Sequence, residues 1–494
     1  MYYLGLDIGS SSIKAALVTI ATGKCIGVVQ EPKEEMSMFA LKNGWAEQSP
    51  EDWWIHICNT IARLKKQYNI NATQIKGIGI SYQMHGLVLV DKKGKLLRKS
   101  IIWCDSRAVA IGQKAFTDIG AKKCGDHLLN SPANFTASKL KWVQENEPAI
   151  YEQVDKLMLP GDYIAYKFSN QINTTISGLS EGIIWDFKKN SIADFLLEYY
   201  GMDASLIPDL VDTFGVQSLV DKKGAAESGL EVGTPICYRA GDQPNNALSL
   251  NVLNAGEVAA TGGTSGVVYA VTNNLSSKES TRVNNFAHVN YTSENKSIGK
   301  LLNINGAGIQ YRWLLNNLEV ASYEEMNQLA SEIAIGSDGV CLIPFGNGAE
   351  RMLNNQEIGT RIVNMNLNNH HKGHLCRAAL EGIAFSFVYG MEILTSDGIQ
   401  PSVIRAGNDN LFRSEIFANT VATLIGQEIE IYNTTGAIGA ARAANLYKGD
   451  LASFSKAIMD NDYVMTFVPE NDRTKYLEAY QNWKKELELV LKHQ

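Results

Sequence analysis

The chain opens with the stretch Tyr2-Tyr3-Leu4-Gly5-Leu6-Asp7-Ile8-Gly9-Ser10-Ser11-Ser12-Ile13-Lys14-Ala15-Ala16-Leu17-Val18. Its two apolar runs, joined by a glycine-serine segment, predict a strand, a tight turn and a strand. A similar stretch, Val258-Ala259-Ala260-Thr261-Gly262-Gly263-Thr264-Ser265-Gly266-Val267-Val268-Tyr269, lies in the second half. Small residues at such turns let backbone N–H groups approach an anion, and hydroxyls add donors. Two such turns predict a duplicated fold whose lobes hold one phosphate chain between them.

Length and composition limit the class of protein. The chain has 494 residues, of which 45% are hydrophobic and 20% charged, as in an ordinary globular protein with two large domains. The net charge of −7 gives no electrostatic reason to expect nucleic acid or an anionic membrane as partner. No apolar run approaches the length of a membrane span. The seven cysteines form no CxxC pair, which predicts free thiols in a reducing cytoplasm.

Strand and helix signals alternate in both halves of the chain. Ser49 and Pro50 mark a helix start, and strands are predicted over 3–7, 13–19, 75–81 and 236–240. In the second half, helices are predicted over 309–316, 323–333, 373–394, 412–425 and 474–491, and strands over 340–343, 403–405 and 428–431. This alternation predicts an α/β fold of mixed sheets flanked by helices, with a domain boundary near residues 243–256.

Two aspartates lie at the ends of predicted strands. Asp7 comes directly before the first glycine-serine turn, where a carboxylate beside phosphates needs a bridging divalent cation such as Mg²⁺. The alternative is a turn aspartate that caps its own loop. Asp242 is placed for general-base work on an incoming hydroxyl, or else it caps a helix that starts at Pro244.

Four further residues have the chemistry of a polyol pocket. Met84 and His85 follow a predicted strand, and the imidazole can hydrogen-bond a hydroxyl, although a lone histidine is often structural. Trp103 and Asp105 offer an aromatic face and an acceptor for a sugar. An internal pairing between Asp105 and Arg107 is the alternative.

Together these segments resemble the FGGY family of carbohydrate kinases, within the actin-like ATPase clan, nearly from end to end. Each is weak alone, but their order and spacing are specific. They are Asp7-Ile8-Gly9-Ser10-Ser11-Ser12, Gly44-Trp45-Ala46-Glu47-Gln48, Met84-His85-Gly86, Leu159-Pro160-Gly161-Asp162-Tyr163, Gly241-Asp242, Gly263-Thr264-Ser265-Gly266 and Gly306-Ala307-Gly308-Ile309-Gln310, with 103–107, 135–143 and 374–382.

The resemblance implies two actin-like ATPase (ribonuclease H-like) domains, 1–245 and 246–494, separated by a cleft. It implies ATP-dependent phosphorylation of a ketose, with D-xylulose converted to D-xylulose 5-phosphate as the first expectation, Asp242 as general base and Mg²⁺ held by Asp7. The Met84-His85-Gly86 triplet is similar to that of the xylulokinase branch, where the pair contacts the ketose. The family alone suggests a homodimer. The residues implied to bind ATP are Gly9, Ser10, Ser11, Ser12, Lys14, Gly263, Thr264, Ser265, Gly306, Gln310, Gly407 and Asn408.

Several segments depart from the family pattern. Gln243-Pro244-Asn245-Asn246 follows the implied base where asparagine and alanines are common, and Ala406-Gly407-Asn408 replaces a glycine run. Another pentulose, a sugar acid or a polyol such as glycerol therefore stays open as the substrate. The alternative from another class is a non-catalytic actin-clan protein that ATP switches between two lobe positions.

Overall fold

The N-terminal half is built around a six-stranded mixed sheet. The computed structural model describes residues 1–493. Strands β1 to β14 are Tyr2–Ile8, Ile13–Thr19, Cys25–Glu31, Glu47–Gln48, Ile75–Tyr82, Val88–Val90, Ser100–Ile101, Lys156–Met158, Asn173–Thr174, Trp185–Asp186, Ser191–Ile192, Asp209–Leu210, Phe214–Leu219 and Pro235–Gly241. Helices α1 to α10 are Pro50–Gln67, Val109–Ile119, Ala121–Leu128, Thr136–Asn146, Pro148–Tyr151, Pro160–Ser169, Ile176–Glu181, Asp194–Tyr200, Lys222–Ser228 and Asp242–Ser249.

The C-terminal half is built around a seven-stranded mixed sheet. Strands β15 to β23 are Glu257–Gly262, Gly266–Thr272, Asn284–Ala287, Ile298–Ile304, Cys341–Ile343, Arg361–Val363, Val403–Gly407, Ile429–Tyr432 and Tyr463–Phe467. Helices α11 to α17 are Gly308–Asn317, Tyr323–Ser331, Lys372–Ser396, Glu415–Ile425, Gly436–Ala443, Leu451–Asp462 and Thr474–Lys492.

The two large sheets repeat one arrangement, which confirms the predicted duplication. Their strand orders are β13-β14-β5-β1-β2-β3 and β17-β18-β16-β15-β21-β22-β23. In the first, β1, β2 and β3 pair antiparallel, while β5 and β14 run parallel to β1. In the second, β15, β16 and β18 pair antiparallel, while β21 and β22 run parallel to β15. The mixed sheets and flanking helices agree with the prediction.

Helix α10 connects the two sheets, and we propose the domain boundary, between residues 245 and 246, inside it. Helix α15 packs against α10 and also covers β1, β2 and β5 of the first sheet. Two glycines make this close approach possible. A Cβ atom on Gly5 would lie 1.9 Å from the carbonyl oxygen of Ala437, and one on Gly79 would lie 1.9 Å from that of Ala440. The C-terminal half therefore contributes a helix to the core beneath the N-terminal sheet.

Helix α13 is the central helix of the C-terminal half. Contrary to the expectation from the sequence, it is long and apolar enough to cross a bilayer, but 83% of its most apolar 18-residue stretch is buried inside the protein. Its apolar side chains, such as Leu380 and Ile383, are fully buried against the second sheet and its neighbours. Its apolar character is therefore accounted for by the core of this half.

Candidate active site

Three neighbouring parallel strands place the predicted catalytic groups at one edge of the first sheet. In register, Asp7 of β1 lies beside Ser81 of β5, which lies beside Ala240 of β14. Asp242 follows β14 directly and is the first residue of α10. Ligands of open α/β sheets bind at the carboxyl ends of such strands. The sequence placed the helix start at Pro244, whereas α10 begins at Asp242 with Gly241 as its N-cap residue.

The carboxylates of Asp7 and Asp242 influence one another at this edge. Burial raises the pKa of Asp242 to about 7, and the charge of Asp7 adds to the rise. Burial also raises the pKa of Asp7, against the hydrogen bond that Ser81 Oγ donates at 2.9 Å and the charge of Lys14. A Cβ atom on Gly436, the first residue of α15, would lie 2.7 Å from Asp7 Oδ2. The pair thus sits where α15 meets the first sheet.

The first glycine-serine turn is held by two glutamines whose role the sequence reasoning missed. Gln48 Nε2 donates to the carbonyl oxygen of Ser10 at 2.6 Å, and Gln83 Nε2 donates to Gln48 Oε1 at 3.0 Å. The backbone N–H of Gln83 donates to the carbonyl of Ile8. Gln83 directly follows β5 beside Met84, which is the only sequence signal that pointed to it. This network fixes the turn that contains Gly9, Ser10, Ser11 and Ser12.

The second glycine turn meets the N-terminus of α11. The N–H of Gly308 donates to the carbonyl of Gly263, and that of Ile309 to the carbonyl of Thr264, both at 3.0 Å. A cleft of about 410 Å³ opens beside this junction. Its lining residues include Gly262, Gly263, Thr264, Gly308, Tyr311, Arg312, Asn410 and Arg413. Gly407 and Asn408 lie at the carboxyl end of β21, which runs parallel to β15.

Two other residues expected to bind ATP are engaged within the C-terminal half. The N–H of Gly306 donates to Glu350 Oε1 at 2.7 Å. Gln310 is 6% exposed and accepts a hydrogen bond from Thr360 Oγ1 at 2.8 Å, while its Nε2 has no partner among residues 1–493. That unpaired donor lies on the first turn of α11, next to the second glycine turn.

His85 has a fixed tautomer. Its Nδ1 lies 2.9 Å from the carbonyl oxygen of Glu181, and because a carbonyl only accepts, Nδ1 carries the proton and Nε2 is left as an acceptor. Burial lowers the pKa of His85 to about 3, and the charge of Lys139 adds to this, so the ring is neutral at physiological pH. Its backbone is left-handed, with φ of 61°, a conformation in which histidine is found more often than most non-glycine residues.

Aromatic rings from both halves enclose His85. Phe135 lies 4.7 Å from it between ring centroids, and Phe286 of β17 lies at 5.2 Å. Trp103 is 52% exposed, and its Nε1 lies 3.5 Å from Ser10 Oγ, beside the first turn. Met84, His85 and Trp103 therefore lie around the same edge of the first sheet.

Asp105 does not join this group, and its expected contact with the sugar is corrected. The side chain is fully buried. Its Oδ2 accepts from the N–H of Ala46 at 2.6 Å and from Arg107 Nη2 at 2.7 Å. The internal pairing with Arg107 is the one that the structure shows. The carboxylate holds the loop around Trp103 in place and has no face open to a ligand.

Glu181 is a carboxyl group that no sequence motif marks. It ends the short helix α7 and is 1% exposed. The Tyr82 hydroxyl and the His85 backbone N–H lie close to it, but among residues 1–493 no donor meets either side-chain oxygen in full hydrogen-bond geometry. Burial raises its pKa well above the usual range, and the charge of Asp242 acts in the same direction, while the nearby hydroxyl of Tyr82 opposes the rise. Burial thus favours the neutral form of a carboxyl group that lies behind the predicted sugar pocket.

Models of the N- and C-terminal domains of the FGGY family of carbohydrate kinases match residues 2–249 and 258–447. The chain belongs to the FGGY family of carbohydrate kinases. This FGGY chain is 28% identical over 403 residues to the xylulose kinase of Bacillus subtilis, covering 80% of this chain and 78% of that protein. It is 27% identical over 455 residues to the xylulose kinase of Escherichia coli, covering 90% of each.

Solved structures of FGGY kinases share the fold. The xylulose kinase of Rhodospirillum rubrum superposes with a TM-score of 0.88 at 22% identity, covering 99% of each chain. The glycerol kinase of Plasmodium falciparum with ADP superposes with a TM-score of 0.87 at 20% identity, covering 99% of this chain and 98% of that one. The fold is therefore the predicted actin-like ATPase fold, and the chain is a sugar kinase with ATP and a sugar as its substrates.

Proposed function

We propose that this FGGY kinase phosphorylates a ketopentose, with D-xylulose converted to D-xylulose 5-phosphate as the leading reaction. The observation that carries the proposal is the placement of Asp242 and the Met84–His85 pair at the ends of adjacent parallel strands, β14 and β5. Two xylulose kinases among the relatives, and the Met84-His85-Gly86 triplet, support the same substrate.

In the proposed mechanism, the ionised carboxylate of Asp242 accepts the proton of the sugar's 5-hydroxyl group. The oxygen then forms a bond to the γ-phosphorus of ATP as the bond from that phosphorus to the β,γ-bridging oxygen breaks, and ADP leaves. The two glycine turns position the phosphates through their N–H and hydroxyl donors. Closure of the lobes excludes water, which would otherwise compete with the sugar as acceptor.

The donor set around Asp7 fits a magnesium ion. Among residues 1–493 no cluster of three histidine, cysteine or acidic side chains could hold a metal by itself. Mg²⁺ in kinases needs only one or two carboxylates because phosphate oxygens and water complete its shell. We propose that Asp7 holds Mg²⁺, which neutralises phosphate charge when bound. Ser81 orients this carboxylate through its hydrogen bond to Oδ1.

The chemistry of the pocket favours a neutral polyol over a sugar acid. Nε2 of the neutral His85 is an acceptor and needs a hydroxyl donor, which a carboxylate is not. The ionised carboxylate of Asp242 faces this region, and it would repel an anionic substrate. This repulsion favours an uncharged ketose or glycerol over gluconate, although the resemblance to the family leaves all three open as substrates.

A substrate panel tests the proposed function. With ATP and D-xylulose, L-xylulose, D-ribulose, L-ribulose, glycerol and gluconate, we expect the highest kcat/KM for D-xylulose and a value at least about 10-fold lower for gluconate. ADP release measures the rates, and phosphorus NMR locates the new phosphate on O5. Highest activity with gluconate or glycerol would contradict the assignment. ATP hydrolysis at a rate that no sugar changes would favour the alternative, an actin-clan protein that ATP switches between two lobe positions.

The pKa of Asp242 predicts an acid limb in the pH profile. The base works only when ionised, and burial together with Asp7 raises its pKa to about 7. Activity is therefore present above pH 7 and falls below it, by about 10-fold per pH unit. The profile of kcat/KM for the sugar, recorded with ATP well below its KM, measures this midpoint. A flat profile between pH 5 and pH 8 would rule out Asp242 as the titrating base.

A further inference from the structure

Glu181 lies in the core without the well-formed hydrogen bonds that a buried carboxyl group normally accepts. Buried polar groups are almost always hydrogen-bonded, because an unmet one costs free energy. Glu381 of α13 shows the usual arrangement at the same depth: it is 2% exposed, and it accepts from Arg377 Nε at 2.6 Å and from the N–H of Gly336 at 3.1 Å. Around Glu181 the hydroxyl of Tyr82 and the backbone N–H of His85 lie close to the carboxyl group, but neither is aligned in full hydrogen-bond geometry with a side-chain oxygen. The carboxyl group therefore has acceptor capacity that the protein leaves unused.

The carboxyl group of Glu181 lies between the residues proposed to handle the sugar. A Cβ atom placed on Gly241 would lie 2.9 Å from Glu181 Oε2 and 2.6 Å from Met84 Cγ. The acid group and the methionine side chain therefore meet against the backbone that leads directly into Asp242. On the other side, His85 Nδ1 lies 3.9 Å from Glu181 Oε2, beyond hydrogen-bond distance.

We propose that Glu181 is a specificity-determining residue of this kinase, whose carboxyl group hydrogen-bonds a hydroxyl of the bound sugar beside Met84 and His85. The inference rests on the sugar site of the proposed function and deepens it. Met84 is unbranched and 5% exposed, and such a side chain adapts readily. Its displacement by the sugar exposes the carboxyl group to the ligand. The bound sugar then supplies a well-aligned hydrogen-bonding partner, which the protein alone does not.

The proposal predicts opposite changes in sugar affinity and stability. In Glu181→Met a buried polar group without well-formed hydrogen bonds is replaced by an apolar chain of similar length, so the melting temperature should stay the same or rise. The KM for the sugar should rise about 10- to 100-fold because the hydroxyl loses its partner, while the KM for ATP stays within about twofold. Glu181→Gln keeps a donor and an acceptor, so its sugar KM should remain within about threefold of the wild-type value.

Glu381→Met is the matched control, because it removes an equally buried glutamate whose bonds are made. We expect a lower melting temperature and an unchanged KM for the sugar. A wild-type sugar KM in Glu181→Met would overturn the proposal, and so would a fall in stability like that of the control or a failure to fold. The comparison uses whichever panel sugar the wild type phosphorylates best. A wrong assignment of D-xylulose would therefore show in the wild type and leave the test of Glu181 intact.

Discussion

Asp242→Asn is expected to lower kcat for sugar phosphorylation by about 10²- to 10⁴-fold, the usual contribution of a general base. Asparagine has nearly the same shape, but its side-chain amide takes no proton from the attacking hydroxyl. ATP binding should be kept or become tighter, because the substitution removes one negative charge beside Asp7 and the phosphates. Rates follow from ADP release with saturating sugar, and ATP affinity from calorimetry.

A capping aspartate provides the control for Asp242→Asn. Asp221 is the N-cap residue of α9 and accepts from the N–H of Gly224 at 2.7 Å. If Asp242 served only to stabilise the start of α10, neither Asp242→Asn nor Asp221→Asn would change kcat. The two variants would then differ from the wild type only in stability. A wild-type kcat in Asp242→Asn would show that the carboxylate has no part in the mechanism. Loss of ATP binding along with activity would assign it to nucleotide binding instead.

Elements with a strong local pattern were predictable from the sequence. Helix α13 was expected over 373–394 and runs over Lys372–Ser396, and β2 was expected over 13–19, where it lies. The periodicity of apolar side chains and the residues that mark helix starts define such elements without tertiary information. Helix α14 was expected from 412 and begins at Glu415, because Asn410–Arg413 forms a separate 3₁₀ turn.

What the sequence left open depends on partners that are distant along the chain. Asp105 reads equally well as a sugar acceptor or as a partner of Arg107, until the N–H of Ala46 is found 2.6 Å from its carboxylate. Glu181 lies in a six-residue helix with no motif, and its lack of well-formed hydrogen bonds is a tertiary property. Helix α15 was not predicted, because a run of glycine and alanine has no polar face and therefore no amphipathic period.

Gly79→Ala is expected to destabilise the protein by about 3 kcal/mol, although it adds a single methyl group. The new Cβ would lie 1.9 Å from the carbonyl oxygen of Ala440, and a helix backbone cannot yield as a side-chain end would. Helix α15 must therefore move away from β1 and β5. Since Gly436 at its start lies against Asp7, the KM for ATP should rise with the loss of stability.

The same substitution at Gly125 gives the opposite sign and serves as the control. Gly125 lies within α3, and a Cβ atom there meets nothing within 4 Å. Alanine is the better helix former, so Gly125→Ala should stabilise the protein by up to about 1 kcal/mol. Urea titrations followed by tryptophan fluorescence measure both changes. Equal midpoints for Gly79→Ala and the wild type would show that α15 has room to shift, and that the close contact between the two halves does not require glycine at position 79.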